Sequence, residues 1–380
     1  MMKRMARPIY KVLFVFVFVA IAAALYLRMV VSVANEKLFI TNNEGRTRKL
    51  PPIFNRTLLA FATVDLADDA LTRDVEELVD ADFPSAKSLR QLAFLSKGRY
   101  CLNIGASSTP EGPMDLMSPD FYKLWLKVRG HLLAWWQNRQ FKPDVISNMV
   151  LESGKKYKTC AVVGNSGILL KTNLGDFIDR HEFVIRLNNA RITTYERFVG
   201  SKTSLSFMNS NILHFCSRRQ GCFCHPYGEN VPIMLYMSQP VHFVDYVVCN
   251  SSHKAPLIIT DPQLDVLCAR IVKYYSVKRF MKETGKSLDE WASAHGGVEF
   301  HYSSGMQAIM VALGICDQVD IFGFGKSDSA KHHYHTVQRS ELGLHHYEAE
   351  YDLYEDIVNW PEAVPFVSTE FKFPPVRIYR

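Results

Sequence analysis

The sequence predicts an α/β fold: one large domain with a mostly parallel central sheet and helices on its faces. From Cys160 onward, short β-rich runs alternate with amphipathic stretches, the pattern of strands joined by helical crossovers. The strand-like runs end in loops rich in Gly, Asn and Ser, and open α/β sheets bind ligands at such carboxyl ends. A composition that is 48% hydrophobic over 380 residues supplies the apolar material for one large core and excludes disorder throughout.

Cys160-Ala161-Val162-Val163 reads as a buried strand that runs into Gly164-Asn165-Ser166-Gly167. A second strand, 183–187, ends at Asn188-Asn189. Further strands are expected at 232–237, 257–260, 319–323 and 364–367. A 3.6-residue apolar period predicts helices at 264–283, 305–315 and 346–358. The segment 121–140, with Trp125, Trp135 and Trp136, reads as a helix leading into this region. No internal repeat is present.

Of the formal charge of +6, Lys3, Arg4, Arg7 and Lys11 supply all but +2, with no acidic residue among positions 1–11. That near balance leaves no basis for a nucleic-acid partner, and any site for an anion must be local. Positions 12–27 carry no charge, and beyond Arg28 the apolar run resumes to Ala34. A bilayer needs roughly 20 apolar residues, and an arginine near one end snorkels to the interface. Basic residues ahead of the span put the N-terminus in the cytosol and the rest in the lumen. A cleaved secretory signal ending at Ser32-Val33-Ala34 is the alternative, but the apolar core exceeds the usual length of about 7–15 residues. The expected organisation is a cytoplasmic tail at 1–11, a transmembrane signal anchor at 12–34, a stem at 35–120 and a lumenal domain at 121–380. In a lumenal chain, eight cysteines permit disulfides, and the even number allows complete pairing. Asn55-Arg56-Thr57 and Asn250-Ser251-Ser252 are glycosylation sequons that agree with that compartment.

Three segments could carry chemistry. The loop 164–167 after a strand lets backbone N–H groups approach a phosphate, although a Gly-rich turn is more often only a turn. Ser303-Ser304-Gly305 opens a predicted helix, as an ordinary N-cap or as an anion site. His332-His333-Tyr334-His335 is followed by His345-His346-Tyr347-Glu348 and Glu350, and imidazole can take a proton from a hydroxyl near neutral pH. Zinc is the competing reading, but neighbouring histidines on one regular element cannot all converge on a tetrahedral ion. Cys216, Cys222, Cys224 and His225 also have zinc-like ligand types, with disulfides the favoured fate in an oxidising lumen.

Together these segments resemble the sialylmotifs of the eukaryotic sialyltransferase family, in family order. The large motif matches 160–211, through Cys-Ala-Val-Val-Gly-Asn-Ser-Gly, Val184-Ile185-Arg186-Leu187-Asn188 and Val199-Gly200-Ser201-Lys202-Thr203. The small motif matches 303–325, the third His333-Tyr334, and the very small one His345 to Glu350. Arg191 and Tyr302 stand where animal members have Pro, and Thr336 where they have Glu. These departures, with Asn209 to His214 and Cys222 to Gly228, resemble the plant sialyltransferase-like branch.

The resemblance implies a Rossmann-like catalytic domain of variant GT-A type in a Golgi type II membrane protein. It implies inverting sugar transfer without metal or other cofactor. By that likeness Asn165, Ser166, Asn188, Ser303, Ser304 and Gly305 hold the donor nucleotide, His333 contacts its phosphate, and His345 is the base. Cys160 and Cys316 are implied to pair. Metal-using transferases commonly carry Asp-x-Asp, and the only such triplet, Asp80-Ala81-Asp82, falls in the expected stem, where it reads as a solvated acidic helix face. The implied donor is CMP-sialic acid or a related CMP-linked acidic sugar, and the acceptor a galactose-containing glycan on a glycoprotein. The plant-like departures raise a second donor, UDP-galactose, with arabinogalactan proteins as acceptors. Thr336 raises a third role, a catalytically weak partner of other Golgi glycosyltransferases.

Overall fold

The computed structural model describes residues 22, 23, 26, 52–63, 68–79, 119–149, 154–217, 226–252, 255–295, 301–327, 329–337 and 345–380. The chain divides into Met1–Pro51 and a compact unit, Pro52–Arg380. No described helix is long and apolar enough to cross a membrane. The expected span 12–34 lies outside the described residues except for Ala22, Ala23 and Tyr26, which are helical. Asp80-Ala81-Asp82, Cys222, Cys224 and His225 lie outside them as well.

A seven-stranded sheet organises the unit, in the order β5-β4-β3-β2-β1-β6-β7. Its strands are β1 Cys160–Val163, β2 Phe183–Leu187, β3 Leu205–Asn209, β4 Ile233–Tyr236, β5 Leu257–Ile259, β6 Val319–Phe322 and β7 Val376–Tyr379. Every neighbouring pair is parallel. Such a sheet is covered on both faces, so its central strands read as continuous apolar runs. In β1, Cys160 and Val162 enter one core cluster while Ala161 and Val163 enter another, the period of two expected of a strand.

The principal helices are α1 Arg56–Ala62, α2 Asp68–Val79, α3 Pro119–Gln137, α4 Ser210–Ser217, α5 Phe243–Ser252, α6 Pro262–Thr284, α7 Leu288–Ala294, α8 Ser304–Ile315 and α9 Tyr347–Asn359. Helix α8 is buried all round from Gly305 to Ile315, because it packs between strands β1 to β3 and α6. A helix with no polar face belongs in such a place. Its C-terminal end is tied to β1 by the disulfide Cys160–Cys316, with a Cα–Cα separation of 6.1 Å. Cys268 on α6 is buried and unbridged, so the complete pairing that eight cysteines allowed is not reached. Its thiol faces the apolar core, and burial holds its pKa well above the ordinary value.

The sequence placed a strand at 364–367, and the structure has none there. Phe366 adopts φ +67, which breaks an extended run, and the final strand is β7 instead. Strand β3 was not foreseen, since its Ser206 and Asn209 weaken the apolar signal, yet Leu205 to Met208 are buried. Part of the region read as stem also packs onto the unit. Asn55 caps α1 by accepting the N–H groups of Thr57 and Leu58 at 2.9 and 3.2 Å. Phe54 then meets the Tyr274 ring and Phe61 the Trp291 ring edge-on.

A bridge that closes a long loop removes much unfolded-state entropy. Replacing both Cys160 and Cys316 by Ala is expected to lower unfolding free energy by about 2–5 kcal/mol in urea titrations.

Candidate active site

A cavity of about 580 Å³ opens at the carboxyl ends of β1, β2, β3, β4 and β6. Strand order reverses at β1, whose neighbours are β2 and β6, and ligands of open α/β sheets bind where order reverses. Every predicted donor-site residue lines this cavity: Asn165, Ser166, Asn188, Ser303, Ser304 and Gly305. So do His333 and His345. Residues more than a hundred positions apart are thereby brought together.

The nucleotide side is built from backbone and short polar side chains. The β1 and β6 loops approach so closely that a Cβ on Gly164 would come 2.7 Å from the Gly323 carbonyl oxygen. Ser166 fastens the two loops, donating to the Gly325 carbonyl at 2.7 Å. Its hydroxyl is thus committed to holding the loop, whereas the buried Asn165 Oδ1 has no hydrogen-bond partner among the described residues. Asn188, left-handed at φ 54, accepts the Asn209 N–H on its Oδ1 at 2.9 Å and so locks the ends of β2 and β3 together. Asn tolerates that conformation better than most side chains.

Helix α8 aims its N-terminus into the cavity. The first N–H groups of a helix have no acceptor within it, so Ser304 and Gly305 present donors and the positive end of the helix dipole to an anion. Ser303 is the N-cap, accepting the Met306 N–H at 3.2 Å. Its own N–H and hydroxyl both donate to the buried Glu350 carboxylate, each at 2.6 Å. Tyr354 donates to the same carboxylate at 3.1 Å. Burial pushes the Glu350 carboxyl above its ordinary range, against the opposing pull of His345 and these hydrogen bonds.

His345 stands just before α9. Its Nδ1 lies 2.8 Å from the His301 carbonyl oxygen. A carbonyl can only accept, so Nδ1 carries the proton and Nε2 is the basic nitrogen. Across the cavity, the segment 331–337 is held by Tyr334, whose N–H donates to the Asn165 carbonyl at 2.9 Å. The Tyr334 hydroxyl donates to the Arg191 carbonyl at 2.7 Å. With Tyr334 turned into the core, its neighbours His333 and His335 turn to the cavity, their rings 5.8 Å apart and nearly parallel.

Sequence reasoning found the motif residues but missed what holds them. It gave Tyr334, Glu350 and Asn209 no separate role, and it passed over Tyr236 and His301, which with Asn209 also line the cavity. The position of Asn209 and Tyr236 at strand ends was the available signal.

Burial, with His333 alongside, lowers His332 and His335 from 6.5 to about 4. Because the folded values lie below the unfolded ones, both rings stay neutral in the fold. Their contribution is complete above pH 6.5 and is lost as pH falls toward about 4. Thermal unfolding across that window is expected to show a steeper acid loss in the natural chain than in a His332→Gln, His335→Gln variant.

The sequence profile of Glycosyltransferase family 29 (sialyltransferase) matches residues 131–360. The chain is 45% identical to a β-1,6-galactosyltransferase of Arabidopsis thaliana over the full length of both. It is 47% identical to sialyltransferase-like protein 1 of Oryza sativa subsp. indica, over 87% of this chain and 90% of that one. Identity to CMP-N-acetylneuraminate-β-galactosamide-α-2,3-sialyltransferase 1 of Mus musculus is 28%, over 63% of this chain and 69% of that one. A family profile spanning more than half of the chain, on a parallel sheet whose strand ends gather the motif residues into one cavity, identifies it as a glycosyltransferase of family 29.

Proposed function

We propose that the chain transfers galactose from UDP-galactose to a hydroxyl of a galactose-containing glycan, with inversion, and that His345 is the general base. The observation that carries this is the His345 ring, whose protonated Nδ1 is spent on the His301 carbonyl. Its Nε2 is the basic nitrogen at a cavity that also receives the N-terminus of α8. The acceptor oxygen attacks the anomeric carbon while its proton passes to Nε2. The bond from that carbon to the nucleotide phosphate breaks, and UDP leaves toward the α8 N–H groups, Asn165 and His333. Attack from the face opposite the leaving group converts an α-linked donor into a β-linked product. The full-length likeness to a β-1,6-galactosyltransferase supports the donor, and arabinogalactan proteins are the acceptors we favour.

We assign no metal to the donor, as the resemblance to the sialyltransferase family implies. Among the described residues lining the cavity, Glu350 is the only carboxylate, and Ser303 and Tyr354 already occupy it. A second reading keeps the same chemistry with a CMP-linked acidic sugar, favoured by the likeness to the mouse enzyme named for CMP-N-acetylneuraminate.

The same reading places the chain in the Golgi membrane as a single-pass type II protein. The tail is 1–11 and the anchor 12–34; of the region 35–120 read as stem, the part that carries α1 and α2 belongs to the same compact unit as the lumenal catalytic domain 121–380. A bridged Cys160–Cys316 pair suits an oxidising lumen. Asn55 is exposed, with its Oδ1 used for capping and its Nδ2 left for a glycan. Asn250, the second site, sits on α5.

His345→Ala should lower turnover by roughly 10² to 10⁴ with an unchanged thermal midpoint; normal turnover in the folded variant would sink the assignment. UDP at 100 times its Kd should add about 2.7 kcal/mol of stability in a thermal-shift assay, with no shift from CMP. A shift with CMP alone would reverse the choice of donor.

A further inference from the structure

The residue that follows the base faces the other way. His345 and Tyr347 line the cavity, whereas His346 between them does not. Its Nδ1 lies 2.7 Å from the hydroxyl of Ser276 on α6. The same hydroxyl accepts the indole N–H of Trp291 on α7 at 3.0 Å. A hydroxyl can accept one bond while donating another, so indole, hydroxyl and imidazole form one chain. Ser276 and Trp291 are fully buried. His295, at the end of α7, stacks on the Trp291 ring at 4.6 Å and faces the His346 ring at 6.0 Å, with planes 26° apart.

We propose, resting on the assignment of His345 as the base, that His346 is the residue that positions it: seated on Ser276, it fixes the backbone from which His345 enters the cavity. Two anchors then hold the base. One is the His301 carbonyl, 2.8 Å from its own Nδ1; the other is the neighbouring ring, held against α6 and α7. The His346 carbonyl also accepts the N–H groups of Ala349 and Glu350 at 3.0 and 3.3 Å, so the residue seated on α6 also starts α9. Further along, Arg279 of α6 donates to both carboxylate oxygens of Asp352 on α9, each at 3.1 Å.

Burial, helped by His295 and Arg279 and opposed by Glu283 and Asp352, lowers the pKa of His346. The ring is therefore neutral at neutral pH, and its Nδ1 can accept the Ser276 proton. Turned away from the cavity, His346 cannot replace its neighbour as the base. A base acts only within hydrogen-bond reach of the proton it takes, and a misplacement of about 1 Å can cost roughly 10²-fold. Loosening His346 should therefore slow the chemical step without weakening donor binding.

The test is a double-mutant cycle on the full chain in detergent, with UDP-galactose and a galacto-oligosaccharide acceptor, or CMP-N-acetylneuraminate if only that donor gives product. His346→Ala is expected to lower kcat roughly 10- to 10²-fold, with donor KM within about twofold. His346→Asn, whose amide can reach Ser276 as Nδ1 does, should restore kcat to within about threefold of the natural chain. In a His345→Ala background the His346→Ala change should cost nothing further, because no base is left to position. An equal loss in both backgrounds marks a merely structural role and overturns the proposal, as does an unchanged kcat in His346→Ala. Normal turnover in His345→Ala is a different result, which removes the base itself and this proposal with it. Should His346→Ala fail to fold, Ser276→Ala enters the same cycle and the same outcomes decide.

Discussion

Glu350 is a carboxylate removed from water, and such a group is costly unless its oxygens are occupied. Here they take the backbone N–H and hydroxyl of Ser303 and the hydroxyl of Tyr354. This joins the first turn of α9 to the N-cap of α8. His345 precedes α9 by two residues, so the contact that seats α9 also delivers the base to the cavity rim. The anion-binding end of α8 and the proton acceptor are thus held in one register by a single buried side chain.

Helix α8 needs that pin because it is buried on every side and carries a single polar side chain, Gln307, within its buried run. An amphipathic helix is oriented by its polar face, but a fully buried one gains similar free energy at many rotations. Two specific links remove the freedom: Glu350 at the N-terminal end and the Cys160–Cys316 bridge just past the C-terminal end. Because Cys160 begins β1, the bridge also relates α8 to the strand whose carboxyl end carries Asn165. The disulfide and the carboxylate act as opposite ends of one brace across the site.

The histidine segment is positioned by a different device. Tyr334 is buried and tied at its N–H to Asn165 and at its hydroxyl to Arg191. His333 and His335, on either side of that anchor, line the cavity. Arg191, a departure from the animal pattern, contributes its carbonyl to that anchor, a contact that any residue type could make, and its charge adds to the causes that lower His335. Thr336, which replaces the usual Glu, lines the same cavity. The substitution changes the wall without disturbing the anchor.

The strands with dense apolar runs, the long helices and the order of the motifs were all legible in the residues, because burial on both faces of a parallel sheet writes itself as continuous Val, Ile and Leu. Strand β3 and the loop at 364–367 were misread, since a polar-bearing strand and an apolar turn both invert that signal. The sequence alone determined which residue types could bind a phosphate or move a proton, and in what order they occur along the chain. Only the tertiary structure decided which nitrogen of His345 is basic, that Ser166 fastens two loops, and that Glu350 clamps a helix cap. Those outcomes depend on hydrogen-bond partners many residues distant, and a partner's identity is set by packing in three dimensions rather than by any local pattern.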